Sequence, residues 1–197
     1  MTDITPGQRV GEVTVSHSQR IEVQCYELHG APPLGALLRV GSPPVYAVVR
    51  EIWHEPLDPT RPLAPRGMSL ESEDEIYAAN PQLSAMLTTR FAGTVVGYGD
   101  GLAVQYGLPA QPPNLHAFVF ACDPDEAAAF AGELGWLRLF LADGSPAGDS
   151  ALAGFLRQAA AGMLDRQGFL LRAGRTLAAE LSRDSQRLQA ILREMTA

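Results

Sequence analysis

Strict alternation of apolar and polar positions marks the first third of the chain. In residues 20–25, Ile21, Val23 and Cys25 share one face while Glu22 and Gln24 face the other. That two-residue period predicts a strand with one side buried. Residues 10–15 form a β-branched run whose Gly11 suits a bulge, and residues 16–19 join the two runs as a hairpin. Gly/Pro punctuation at residues 29–35 and 41–44 then separates two further runs, residues 36–40 and 45–53. Four short strands with such turns predict a small antiparallel barrel.

Pro56, Pro59, Pro62 and Pro65 forbid regular structure and predict an extended surface loop. Acids at Glu73, Asp74 and Glu75 suit a helix start, with Pro81 ending that helix and opening a second short one bearing Leu83, Met86 and Leu87. Residues 93–99 and 102–106 flank Asp100-Gly101 and predict a hairpin. A stiff connector, residues 108–113, leads to an apolar strand at residues 115–122.

From residue 123 the period changes. Asp123-Pro124-Asp125-Glu126 is an N-cap with proline at the first helical position, and its helix should end near Gly135. Residues 136–141 read equally as strand or buried helix. Residues 143–148 read as a linker. Leu152, Phe155, Leu156, Ala159 and Met163 mark one amphipathic helix, and residues 173–195 a longer one with Leu177, Leu181, Leu188, Ile191, Leu192 and Met195 on one side. The fold class is therefore α+β: a small antiparallel barrel of about six strands over residues 1–122, with a loop and helical insertion at 55–90, then a mostly helical region over 123–197.

Composition narrows the function classes. The 197 residues contain 15 Arg and no Lys, which excludes a Schiff-base lysine or a phosphate-loop lysine. The net charge of -7 is uneven. Eight Arg face 17 acids through Gly148, whereas seven Arg face five acids beyond it. An acidic body disfavours a general nucleic-acid coat. No apolar run approaches a membrane span, and the N-terminus lacks the features of a signal peptide, so a cytoplasmic location is expected. Cys25 and Cys122 sit in apolar runs and are expected to be reduced and buried.

Candidate chemistry is sparse. Residues 97–101 have glycines like a phosphate loop, but the flanking strands favour a hairpin turn. His17, His29, His54 and His116 lie on different elements without the close spacing of metal ligands; a meeting of His29 or His54 with Glu51 stays open. No serine-hydrolase elbow occurs. Catalytic, cofactor and metal residues are accordingly expected to be none. The candidate interaction surface is Arg175, Arg183, Arg187, Leu188, Ile191 and Arg193, on the last amphipathic helix.

Val10-Gly11-Glu12-Val13, the run from Leu34 through Val40, and Val45-Tyr46-Ala47-Val48-Val49 together resemble the HAS-barrel family, the barrel shared by HerA-type DNA translocases and ATP synthase. Residues 76–83 followed by 91–98 are similar to the insertion and return strand of HerA-type members. The resemblance spans roughly the first 120 residues. In that family the barrel serves assembly and docking, and here no motor domain follows it within the chain. The resemblance implies a non-enzymatic interaction module, accessory to a HerA-like ATPase or its nuclease, with homo-oligomerisation open. Two rivals stand beside it: a nucleic-acid accessory factor using the C-terminal Arg residues, and a small-molecule enzyme with a dispersed site.

Overall fold

The computed structural model describes residues 7–142 and 144–196. Among these, the strands are β1 (Arg9–Ser16), β2 (Arg20–Cys25), β3 (Leu37–Val40), β4 (Val45–Pro56), β5 (Leu87–Gly99), β6 (Val104–Gln105) and β7 (Phe118–Ala121). The helices are α1 (Glu73–Ala79), α2 (Leu83–Met86), α3 (Pro124–Ala131), α4 (Leu137–Leu141), α5 (Pro146–Ala161), α6 (Arg166–Glu180) and α7 (Ser185–Thr196). The class is α+β. All strand pairings are antiparallel and run β2–β1–β7–β3–β4–β5, with β5 returning to β2, so six strands form a closed cycle of hydrogen bonding. The short β6 adds only to the end of β5.

Two cores explain the sequence pattern. Inside the ring lie Val13, Ile21, Val23, Leu38, Ala47, Val49, Phe91, Val95 and Val119. Leu37, Tyr46, Val48 and Val96 point outward from the same strands and join a second core with α3 to α7. Strands buried on both faces lose their alternation, which is why residues 45–49 read as one apolar run. Glycine permits the closest approach. Gly35 has φ +84, and a Cβ there would stand 2.6 Å from both Ala151 O and Phe155 N of α5. At Gly11 the β1–β7 register shifts, as a bulge requires, and an added Cβ would run into Gln24 O.

Several boundaries differ from expectation. In the segment 136–141, Leu137–Leu141 resolve as helix with Trp136 at the cap position, and Trp136 and Leu137 are buried in the second core. The predicted linker is a tight joint: Ser145 caps α5 by accepting the Gly148 N–H, and Pro146 opens the helix; Asp143 lies outside the described residues. The long helix expected over 173–195 is two helices. The first ends at Leu181, whose N–H still bonds Leu177 O, and Asp184 starts the second by accepting the Arg187 N–H at 3.0 Å. The return strand expected at 102–106 shrinks to two residues, because Asp100 draws in the Leu102 and Ala103 N–H groups at 2.9 Å each. No helix among the described residues is long and apolar enough to cross a membrane.

Beyond Val49, β4 leaves β3 and follows β5, which stays paired with β2 as far as Arg90; past Trp53 and Arg90 the two strands run on alone as a ribbon to Pro56 and Leu87. The proline-rich loop, α1 and α2 hang from its tip. Ring closure pairs the other long strands on both sides, so the exposed edge left by the sheet lies on this ribbon.

Candidate functional site

The six C-terminal residues separate into two groups. Ile191 is buried, Leu188 packs against the helical core, and α7 lies along α5. Arg187 turns inward: its Nε donates to Asp149 Oδ2 at 2.8 Å, and its Nη2 donates to Asp149 Oδ1 at 2.7 Å and to Leu141 O at 3.2 Å. These three residues therefore knit the protein's own helices. Arg175, Arg183 and Arg193 stay exposed.

Helices cover the β3–β4–β5 side of the ring, whereas the outer faces of β2, β1 and β7 remain open. Sequence reasoning did not single out this wall. Its outward positions bring Tyr26, Arg9, Phe118, Phe120 and Arg39 into one stripe across four strands. The Arg9 guanidinium stands 4.5 Å from the Phe118 ring centre and 5.3 Å from that of Tyr26. Arg39 stands 5.5 Å from Phe120, and its Nε lies 3.5 Å from Glu126 of α3. Tyr26 and Phe118 are 50% and 45% exposed, high values for aromatic side chains on strands. Stacked Arg and aromatic groups present a broad contact area with few free torsions, the chemistry of protein interfaces.

Glu12 organises the polar rim of the stripe. It accepts the Tyr26 hydroxyl at 2.8 Å and lies 2.8 Å from His116 Nδ1. The His116 contact, then the Tyr26 hydrogen bond, hold the Glu12 carboxyl below its ordinary range. Partial burial and donation to Glu12 push the Tyr26 phenol up. The signal that could have revealed this wall is the outward parity of Arg9, Tyr26, Phe118 and Phe120, legible only once strand partners are known.

His29 and His54 do converge, but with each other rather than with Glu51. Their ring centres are 4.7 Å apart. Along the regular part of β4, Glu51 and His54 point to opposite faces. The Thr89 hydroxyl, fully buried, accepts the His29 backbone N–H at 2.6 Å and lies 2.9 Å from His54 Nδ1. Burial, then the neighbouring His29, push the His54 imidazole down. His17 and His116 lie elsewhere. No group of three or more His, Cys, Asp or Glu residues suited to a metal occurs among the described residues.

The insertion adds an apolar groove of about 280 Å³ between the proline-rich loop and α2, lined chiefly by Leu57, Pro62, Leu63, Leu83 and Met86. At one end of the ring, Pro43, Tyr98, Pro112 and neighbours line a wider hollow of about 680 Å³. The acid in the first, Asp58, is held below its ordinary range by Thr60 hydrogen bonds, a turn contact rather than a reactive arrangement. No protein-family model matches this chain, and no curated protein matches it.

Proposed function

We propose that the protein is a non-enzymatic interaction or assembly module whose partner docks on the open wall of the ring. The closed cycle of six strands is read here as a small barrel of the HAS type. In this reading the partner is a HerA-like ATPase or its nuclease, and the protein acts as an accessory factor in the cytoplasm. The observation that carries the docking surface is the Tyr26–Arg9–Phe118 stack on strands that no helix covers. Arg9 and Phe118 anchor the contact, and Glu12 fixes the tilt of Tyr26.

The test is binding of the full chain to a purified HerA-like ATPase and, separately, to its nuclease, followed by biolayer interferometry. Arg9→Glu with Phe118→Ala should weaken the complex at least tenfold, as for an interface centre, while leaving the melting temperature within about 2 °C. Undiminished binding by a folded double variant removes the wall as the docking face.

The exposed Arg175, Arg183 and Arg193 support a second reading, contact with nucleic-acid phosphates. Under it, a triple Arg→Glu variant loses affinity for single-stranded DNA and the salt dependence flattens. If wild-type protein shows no salt-dependent DNA binding, this reading is discarded.

A further inference from the structure

On its β3 side, β4 bonds as far as Val49, whose N–H donates to Ala36 O at 3.0 Å and whose carbonyl accepts the Gly35 N–H at 2.8 Å. From Glu51 to Glu55 it pairs with β5 alone among the described residues. In an antiparallel ladder every second residue offers its N–H and C=O to a given side, so this stretch presents unpaired main-chain groups along one edge. We propose that residues 51–55 dock an extended basic segment of another protein, which adds beside β4 as a further strand with Arg or Lys side chains at alternate positions. The edge lies outside the β2–β1–β7 wall, so the inference stands whether or not that wall holds a partner.

Side-chain parity chooses the occupant. Ile52 packs against the ring core, so Glu51, Trp53 and Glu55 stand together on the outer face. Glu51 is exposed, and the Glu55 side chain is 38% exposed. Arg90, opposite Trp53 on β5, sets its Nε 3.0 Å from Glu55 Oε1, while its Nη2 donates to Gln24 Oε1 at 3.2 Å. It steadies the Glu55 carboxylate without covering it. Arg50 is turned to the helices, where its Nη2 donates to Ser145 Oγ at 3.1 Å.

The edge therefore offers carboxylate, indole and carboxylate at a two-residue period. An added strand places its own alternate side chains about 5 Å from these three. Basic side chains there meet Glu51 and Glu55 as opposite charges and lie against the Trp53 ring. Main-chain bonds supply affinity and the alternate side chains supply selectivity, the division of labour in strand addition. A second copy of this chain fits worse. Antiparallel pairing about Trp53 would set Glu51 of each copy opposite Glu55 of the other, like charges directly opposed. Pro56, which has no N–H to donate, ends the usable edge.

The test uses the full chain and a short fluorescein-labelled peptide of alternating arginine and valine, followed by fluorescence anisotropy. Wild-type protein should bind it saturably, and the amide NMR signals of residues 51–55 should shift. A peptide with glutamate in place of arginine should not bind. Methylating alternate backbone nitrogens of the arginine peptide, on the side that meets β4, should weaken binding roughly tenfold or more. Glu51→Arg should weaken the arginine peptide by roughly tenfold and strengthen the glutamate peptide. Glu180→Arg, an equal charge change on an exposed residue of α6, should leave both peptides as they were. Circular dichroism establishes that each variant is folded. Absence of saturable binding overturns the proposal. So does an effect of Glu180→Arg equal to that of Glu51→Arg, or indifference to backbone methylation, since either reduces the binding to diffuse charge. Sedimentation of the protein alone as a dimer that Glu51→Arg dissociates would make a second copy the occupant and overturn it too.

Discussion

Asp149 on α5 and Arg187 on α7 meet through both carboxylate oxygens, at 2.7 and 2.8 Å, with side chains only 15% and 18% exposed. A fork of this kind matches guanidinium to carboxylate in a way lysine cannot. Asp149→Ala takes the fork away from a largely buried guanidinium that keeps its bond to Leu141 O. The expected loss is about 2 kcal/mol, read as a fall in melting temperature of roughly 4–8 °C for a chain of this size. Arg187→Lys, which keeps the charge but not the fork, should cost less than Asp149→Ala.

Ile191 sits one turn beyond Arg187 and is 1% exposed. Because α5 and α6 already cover it, Leu188→Glu with Ile191→Glu should unfold the C-terminal helices rather than split an oligomer. Thermal melts should lose cooperativity or shift down strongly. Ile191→Val alone should cost about 1 kcal/mol. An unchanged melt in the double variant would show that α7 does not stabilise the fold.

Gly35 is where ring and helices touch most closely. Alanine there combines a left-handed backbone with a Cβ 2.6 Å from two main-chain atoms of α5, which no rotamer change relieves. Gly35→Ala should give insoluble protein or a melting temperature lowered by more than about 10 °C, given several kcal/mol of strain. Gly101, also at positive φ but with open space around it, is the control, and Gly101→Ala should cost only about 1 kcal/mol.

Burial pushes the Cys25 thiol from 9.0 up to about 12, and Cys122 also rises, chiefly through burial. Both should react slowly with thiol reagents at pH 8 in the native state and quickly in denaturant. Folding favours the protonated form of each. Their contribution to stability is therefore whole below pH 9.0 and fades as pH climbs toward 12. Cys25→Ala should flatten that alkaline loss in melts taken across pH 8–11.

Local rules were enough for much of the chain. Period-two alternation placed β2, glycine placed the Gly11 bulge, the acids Glu73 to Glu75 placed the start of α1 and the Asp123 cap that of α3, since each depends on neighbours a few residues away. The mixed α+β class followed from those elements. Residues 136–141 defeated the same rules, because a short segment buried in a core carries no period of its own. The break between α6 and α7 was missed for a related reason: the apolar stripe runs through it, while Asp184 caps a new helix three residues beyond the Leu181 cap of the first.

What only the tertiary structure decided is which side chains share a surface. By sequence Arg187 belonged to a candidate interaction surface; the fold set Asp149 beside it, 38 residues away in sequence. Arg9, Tyr26 and Phe118 become one stack only through the pairing of β1 with β2 and β7. His29 and His54 meet only because β5 carries Thr89 between them. Sequence specifies which face each residue takes within its own element. Long-range register specifies which faces meet, and it depends on closing loops of many residues around a common core.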